Sequence, residues 1–458
     1  MRLRPALCGA IAGLLCCSPA AAQQVSSGPP VIGPIGAGTV TPAGGNTASS
    51  VASLFGRTLN VLDFGAKCDG ATDDGPAFQA AVNAAPTGGT VFVPPSALGC
   101  YLNTTVTLGK ALTISGAGDE SELFVPNTTA FSITSPHVRF TRLLVMGNRS
   151  ASSSNKLFDV PQGAGWLKLD HMRIEQLNTI GTVEGGCCYD FSYLWMRNIV
   201  QSGFILDQYN GTNGNDAYFD HNLYDTDVGS PQNYAQPNPA LIWVKDFDAI
   251  DIGRANDFIH AGQTAGIEVN PQGTAIVDRL FIDNTWFSTD GRGVYFTGAN
   301  DIIDPQIRGA KFHHNTCDGV SWDNTSASAN PTTLLIRGAT FAGNNNGGTT
   351  CNDINFNPGN HGYINILGNT FGNYFLWTGI PSNNILIGSH TTGAPIQNND
   401  FSRSNALAKI NGLTTVAFVT QRNRGFTTEA GGRDLSRLER QRQRSRMACR
   451  VSLRRMTS

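Results

Sequence analysis

Four carboxylates, one guanidinium and two aromatic rings fall within one central stretch of this 458-residue chain: Glu268, Asp290, Asp318 and Asp323, with Arg292, Trp243 and Tyr295. An aromatic face stacks on a pyranose ring, and two carboxyls can supply acid and base, or acid and nucleophile, to a glycosidic bond. In a hydrolase Asp318 is the general acid and Asp290 its partner. In a lyase Arg292, or Arg254 near Asp251, is the base that takes the proton beside a uronic carboxylate, whose charge Ca²⁺ or cationic side chains neutralise. The run from Lys245 to Asp251 offers Asp246 and Asp248 as hard oxygen ligands for that ion, but without a glycine-turned loop. For any one of these residues the ordinary role is to keep a surface solvated.

A repeat must bring these residues together. An apolar marker returns at Leu169, Leu194, Phe219, Ile252, Ile282, Ile307, Ile336 and Ile366, at gaps of 25 to 33 residues. Ile174, Ile199, Tyr224, Phe287, Phe312, Phe341 and Phe371 follow five positions on, while Ile252 has Asp257 there and Phe258 beside it. A unit of this size cannot close its own core and must stack on its neighbours, which predicts a solenoid. Two residues after the marker, Asn284, Gly309, Gly338 and Gly368 suit a sharp corner between strands.

Each unit carries a second short strand: Gly266 to Val269, Gly293 to Phe296, Gly319 to Trp322 and Asp353 to Phe356. Alternation sends the first and third apolar members inward and the middle one outward. The outward ladder is then Trp243, Glu268, Tyr295, Ser321 and Asn355. Cys317 and Cys351 lie three residues before inward Val320 and Ile354, so they should meet on adjacent coils as a disulfide. On another face, Asp170-His171, Trp195, Asp220-His221, Gly253-Arg254, Asp283, Arg308 and Arg337 follow the marker, with Asp283 beside Arg308. The two Asp-His pairs have the residue types of a catalytic or metal pair, yet an exposed salt-bridge ladder is the plainer account. His313-His314 reads as loop filler.

Residues 1–22 read as a signal peptide, with Arg2 and Arg4, an apolar run from Ala6 to Cys17, and Ala20-Ala21-Ala22 before the cut. Residues 23–57 form a Gly/Pro/Ser-rich linker, and residues 429–458 an Arg-rich disordered tail. Cutting at Ala22 leaves seven cysteines, an odd number, in a secreted or periplasmic product that permits disulfides. No apolar stretch of about 18 residues follows to span a membrane. Net charge is −2, but nine Arg against two acids after residue 432 leave the body at −9, which argues against nucleic acid as a partner.

The entry to the repeat has a recognisable series: Asp63-Phe64-Gly65-Ala66, Asp69-Gly70, Thr72-Asp73-Asp74, then Gly88-Gly89-Thr90-Val91-Phe92-Val93-Pro94. A short helix lies between, with Thr72 or Asp73 as cap, Pro76 in its first turn, and Phe78 and Val82 on its buried face. The series resembles the N-terminal cap of the pectate-lyase-like superfamily, of the rhamnogalacturonase/epimerase type. The resemblance implies an all-β fold: a single-stranded right-handed parallel β-helix over residues 58–428, with a capping helix at its open end. Cys68 and Cys100 then pair to close the cap onto the first coil.

The resemblance also implies a substrate groove along the sheet of the outward ladder. That makes Asp290, Asp318 and Arg292 catalytic, and Trp243, Glu268, Tyr295 and Asp323 substrate-binding. Polygalacturonase-like motifs are only partly matched: Ser288-Thr289-Asp290 is displaced by Arg292-Gly293, Asp318 stands alone, Asn352-Asp353 replaces the histidine, and His361-Gly362 falls on a different strand. The expectation is an exported protein that cleaves a pectin-like or other glycan as lyase or hydrolase, without a cofactor or with Ca²⁺ if a lyase. It would be a monomer, with a trimer as the alternative. The rival is a non-catalytic glycan-binding, adhesion or tailspike-like β-helix.

Overall fold

The computed structural model describes residues 57–426, apart from short segments at 149–153, 162–163, 209–213, 226–239, 260–264, 273–275, 327–331, 348–349, 360–361, 373–378 and 413–417. It also describes one antiparallel strand pair, Thr39–Val40 with Ser49–Ser50, within the stretch read as a linker. The signal peptide, Cys449, His361 and the Arg-rich tail lie outside the described residues.

A right-handed parallel β-helix fills residues 57–426. One coil runs through Leu280–Asp283, Trp286–Ser288 and Val294–Phe296, and the next through Gln306–Arg308, Lys311–His313 and Val320–Trp322. Equivalent strands pair in parallel from coil to coil, giving three faces. The first sheet, with twelve strands, holds the outward ladder; the second holds the marker strand; the third follows the corner. In early coils the second and third strands merge into one long bent strand, such as Leu167–Glu175 and Cys187–Arg197, which turns at His171 and Tyr193 in the left-handed region.

The marker aromatics hold the stack together. Phe287, Phe312, Phe341, Phe371 and Phe401 lie face to face, with successive centroids 5.0, 4.9, 5.1 and 4.6 Å apart. All are buried, each stabilising by roughly 1.5 to 3 kcal/mol. Asn284, Gly309, Gly338 and Gly368 form the corner with φ of 48, 65, 65 and 65°. At Gly309 an added Cβ would sit 2.3 Å from Asn284 Oδ1, so glycine is needed there for both space and conformation. The stacking asparagines stand one residue further on: Asn369, Asn399 and Asn423 each pass a side-chain amide to the backbone of the preceding coil.

The register corrects the marker in one coil. Leu169 pairs with Phe191, and Phe191 with Phe219, so the marker there is Phe191 with Met196, not Leu194 with Ile199. Leu194 pairs with Met172 beyond the corner. Trp195 therefore leaves the second-sheet ladder for the third sheet, beside Arg173 and Leu223, and Ser192 takes its place between Asp170 and Asp220. After Ile252 the partner is Phe258, which pairs with Tyr224 and Phe287, because the corner at Ala255 carries one extra residue.

The helix Gly75–Ala84 packs Phe78 and Val82 into the core at the first coil. The N-cap position is Asp74, not Thr72 or Asp73, and its side chain makes no cap bond; Asp73 accepts from the Gly75 N–H (3.0 Å) and from the backbone of Asn103 and Thr104. Asp74 takes the N–H groups of Lys67, Cys68 and Tyr101, tying the helix entry to the first strands. Cys68–Cys100 and Cys317–Cys351 are disulfides, the latter beside the paired Val320 and Ile354. A third joins the adjacent Cys187 and Cys188, a pairing the spacing did not suggest. Among the described residues no helix is long and apolar enough to cross a membrane.

Candidate functional site

On the first sheet, Trp243, Glu268, Tyr295, Ser321 and Asn355 pair rung by rung and form the outward ladder expected from alternation. Arg292 aligns with Asp318, whose Oδ2 lies 3.7 Å from Arg292 Nε, and its guanidinium sits 4.5 Å over the Tyr295 ring. Asp318 is 2% exposed and Glu268 6%. Burial pushes the carboxyls of Asp318, Glu268 and Asp323 up, while the charge of Arg292 pulls all three back. Asn352 N–H donates to Asp318 Oδ1 (2.6 Å), Asn270 to Glu268 (3.1 Å) and Ser321 to Asp323 (3.3 Å). Each of the three carboxyls thus has a donor, while Arg292 Nε and Trp243 Nε1 are withdrawn from solvent without a hydrogen-bond acceptor among the described residues.

Arg292, Asp318, Glu268, Tyr295 and Asp323 thus come together, but Asp290 does not join them. It is fully buried in the turn before the strand, and the Thr316 N–H donates to its carbonyl, so its register partner lies two residues short of Asp318. Its Oδ2 lies against Gly266 on the preceding coil. Trp243 is half-buried beneath Lys245, whose Nζ lies 4.3 Å from the ring centroid.

Asp246 and Asp248, the Ca²⁺ candidates, belong to no group of three ligands close enough to share an ion among the described residues. Asp248 accepts from the Asp278 N–H (3.0 Å), and Asp246 is fully buried, raised to about 7 by burial and by Asp207 and Asp248. Among the described residues, the acidic or thiol groups close enough to share an ion are Cys68, Asp74 and Cys100, and Cys317, Asp318 and Cys351. Both cysteine pairs are spent in disulfides, leaving one carboxylate each. His313 is nearly buried, edge-on to Trp286 at 5.9 Å and held neutral by burial near pKa 4.

A more open arrangement lies where the second sheet turns its corner. His171, Tyr193 and His221, equivalent corner residues on three coils, stack with centroids 4.8 Å apart in each step. Tyr193 is 49% and Tyr218 48% exposed. They edge a pocket of about 530 Å³ whose floor carries Asp190, Asp220, Asp251 and Asp283. Arg308 grips Asp283 with two bonds of 2.6 Å, Lys168 holds Asp190 at 2.5 Å, and Asp220 Oδ2 lies 3.0 Å from His221 Nδ1. Asp251 makes no ion pair among the described residues; burial first, then Asp283 and Asp220, raise its carboxyl against the pull of Arg308. The sequence displayed Asp220-His221, but the misplaced marker hid Tyr193 and its stack. A second pocket of about 530 Å³, beside Thr128, Asn155 and Thr179, has one charged wall residue, Lys156, paired with Asp159 at 2.6 Å.

Three parallel sheets wound into one coil and closed by a capping helix define a right-handed parallel β-helix, and this chain has that fold. The sequence model of the family described as rhamnogalacturonase A/epimerase, pectate lyase-like, matches residues 58–157. The tail spike protein of Shigella phage Sf6 is 24% identical over 291 residues, 53% of this chain and 44% of that protein, so the match spans less than half of the relative. Among solved structures, the Dettilon tailspike protein superposes with a TM-score of 0.56 at 14% identity, over 80% of this chain and 71% of the other. The DFA-IIIase of Arthrobacter chlorophenolicus A6, in complex with DFA-III, gives 0.55 at 11% identity over 80% and 99%. The tailspike of E. coli bacteriophage HK620, in complex with a pentasaccharide, gives 0.52 at 12% identity over 82% and 71%.

Proposed function

We propose that this chain is an exported polysaccharide-active protein whose glycan-facing surface is the corner pocket of the second sheet. The observation that carries this reading is the His171–Tyr193–His221 stack, with exposed Tyr193 and Tyr218 at the rim of a carboxylate-floored cavity. Aromatic surface beside hydrogen-bonding carboxylates is what a sugar ring needs, one face apolar and its edge rich in hydroxyls. Tailspikes and a structure holding DFA-III share the fold, which is consistent with a saccharide partner. Three disulfides favour an oxidising compartment, in keeping with export. Affinity electrophoresis in gels containing neutral bacterial cell-surface polysaccharides tests the reading. Tyr193→Ala with Tyr218→Ala should weaken retention by roughly tenfold, the worth of one to two stacking contacts; unchanged retention would remove the pocket from the account.

A second reading keeps the contact on the first sheet, with Asp318 as general acid beside Arg292 and with Trp243, Glu268, Tyr295 and Asp323 along the groove. It draws support from the 28% exposure of the Arg292 side chain amid three carboxyls that burial has raised. Lyase chemistry with Arg292 as base fits this cluster poorly, because that cation already faces three acids and has little charge to spare for a uronate. Weakened retention in Tyr295→Ala alone would favour this face.

A further inference from the structure

We propose that Asp251 and Asp220 form a hydrolytic carboxyl pair for a neutral glycan, with Asp251 as proton donor and Asp220 as the carboxylate that activates water; this rests on the pocket receiving polysaccharide. The two stand on neighbouring coils, since Tyr218 pairs with Asp251 and Phe219 with Ile252. Gly253 lies in line with Asp220. A Cβ added there would sit 3.3 Å from Asp220 Oδ1 and 3.6 Å from Asp251 Oδ1, so both oxygens border the space its missing side chain leaves. Their Oδ1 atoms are therefore no more than about 7 Å apart, a bound that reaches the short end of the roughly 6.5 to 9.5 Å that leaves room for an activated water. Gly253 is not among the residues with positive φ, so its backbone would accept any side chain and the glycine serves space.

The surrounding acids are already engaged. Lys168 holds Asp190, Arg139 holds Asp170, and both arms of Arg308 hold Asp283. Asp220 keeps a side chain 45% exposed and meets water through Oδ2, which also faces His221, while Oδ1 is withdrawn from solvent without a donor among the described residues. The raised carboxyl of Asp251 suits a group that must hold a proton before giving it away. The Asp251 proton passes to the glycosidic oxygen as its bond to the anomeric carbon breaks. Water then bonds to that carbon and yields a proton to Asp220. One water is consumed, and one reducing end and one free hydroxyl appear. A polyuronate would bring further negative charge against a pocket lined by four aspartates and, as its arginine, Arg254 alone, with Arg308 committed to Asp283, so the pocket favours a neutral chain.

The test incubates the full chain with neutral bacterial cell-surface polysaccharides and, separately, with polygalacturonate, measuring new reducing ends alongside retention in affinity gels. The expected result is cleavage of a neutral polysaccharide that falls at least about a hundredfold in Asp251→Asn and in Asp220→Asn. Gly253→Val, which fills the space and keeps both carboxyls, should lose cleavage as fully at an unchanged melting temperature, separating site from folding. Retention of the neutral polysaccharide without cleavage overturns the pair and leaves the binding reading standing. Cleavage within about threefold of the parent in both Asn variants, or of polygalacturonate in place of the neutral chain, overturns it as well. Absence of retention and cleavage alike removes the pair and the binding reading together.

Discussion

The Arg292 cluster on the first sheet and the pocket at the second sheet's corner contain the same kinds of residue, acids with an arginine and aromatic rings, yet they differ in what those residues face. In the first, Asp318 and Glu268 are almost without solvent, and Arg292 and Lys245 already cover Tyr295 and Trp243. In the second, Tyr193 and Tyr218 are about half open and Asp251 has no cation at ion-pair distance among the described residues. A cluster closed off from solvent contributes to stability, and one left open to solvent is available to a ligand. The lesson is that outward direction on a solenoid does not mean access.

That contrast predicts where damage should fall. Replacing Cys317 and Cys351 together with Ser, beside Asp318, should cost about 2 to 4 kcal/mol in urea unfolding, because the bond closes a loop across two coils. Asp318→Ala should cost about 2 to 3 kcal/mol, since the Asn352 N–H loses its acceptor and Arg292 its ion-pair partner in a nearly dry site. Asp251→Asn should change stability by no more than about 0.5 kcal/mol, and a loss as large as that of Asp318→Ala would erase the distinction between the two regions.

A smaller effect concerns pH. Asp246 and Asp353 are both raised to about 7, chiefly by burial, so the folded chain holds protons that the unfolded chain releases. Their contribution is complete below about pH 4 and is lost as pH rises to about 7. Asp246→Asn should flatten that slope in melting temperatures recorded from acid to neutral pH, and raise stability near neutrality by about 1 to 2 kcal/mol. Least of all, Arg308→Ala should cost under about 1 kcal/mol, as an exposed pair with Asp283 would, although Asp251 then loses its one opposing cation.

Sequence pattern conveyed the parts of this architecture that rest on strict spacing. Alternation placed Glu268, Tyr295, Ser321 and Asn355 on one outward ladder, and the count from Val320 and Ile354 brought Cys317 to Cys351. It failed where two spacings competed. Phe191 with Met196 and Leu194 with Ile199 both show the five-residue step, three residues apart, and only the pairing with Leu169 and Phe219 separates them. That slip moved Trp195 onto the wrong face and concealed the role of Tyr193. Asp290 was misjudged because turns between strands vary in length while strands do not. Burial of Glu268 was not legible, since alternation sets a side chain's direction and says nothing of what packs over it.

Hydrogen–deuterium exchange, with and without a neutral oligosaccharide that the chain retains, separates the two faces. Slowed exchange is expected at residues 190–193, 218–221 and 251–254, with residues 290–295 and 318–323 unchanged. Protection confined to the second set, with the corner pocket exchanging as in the free chain, would contradict that expectation.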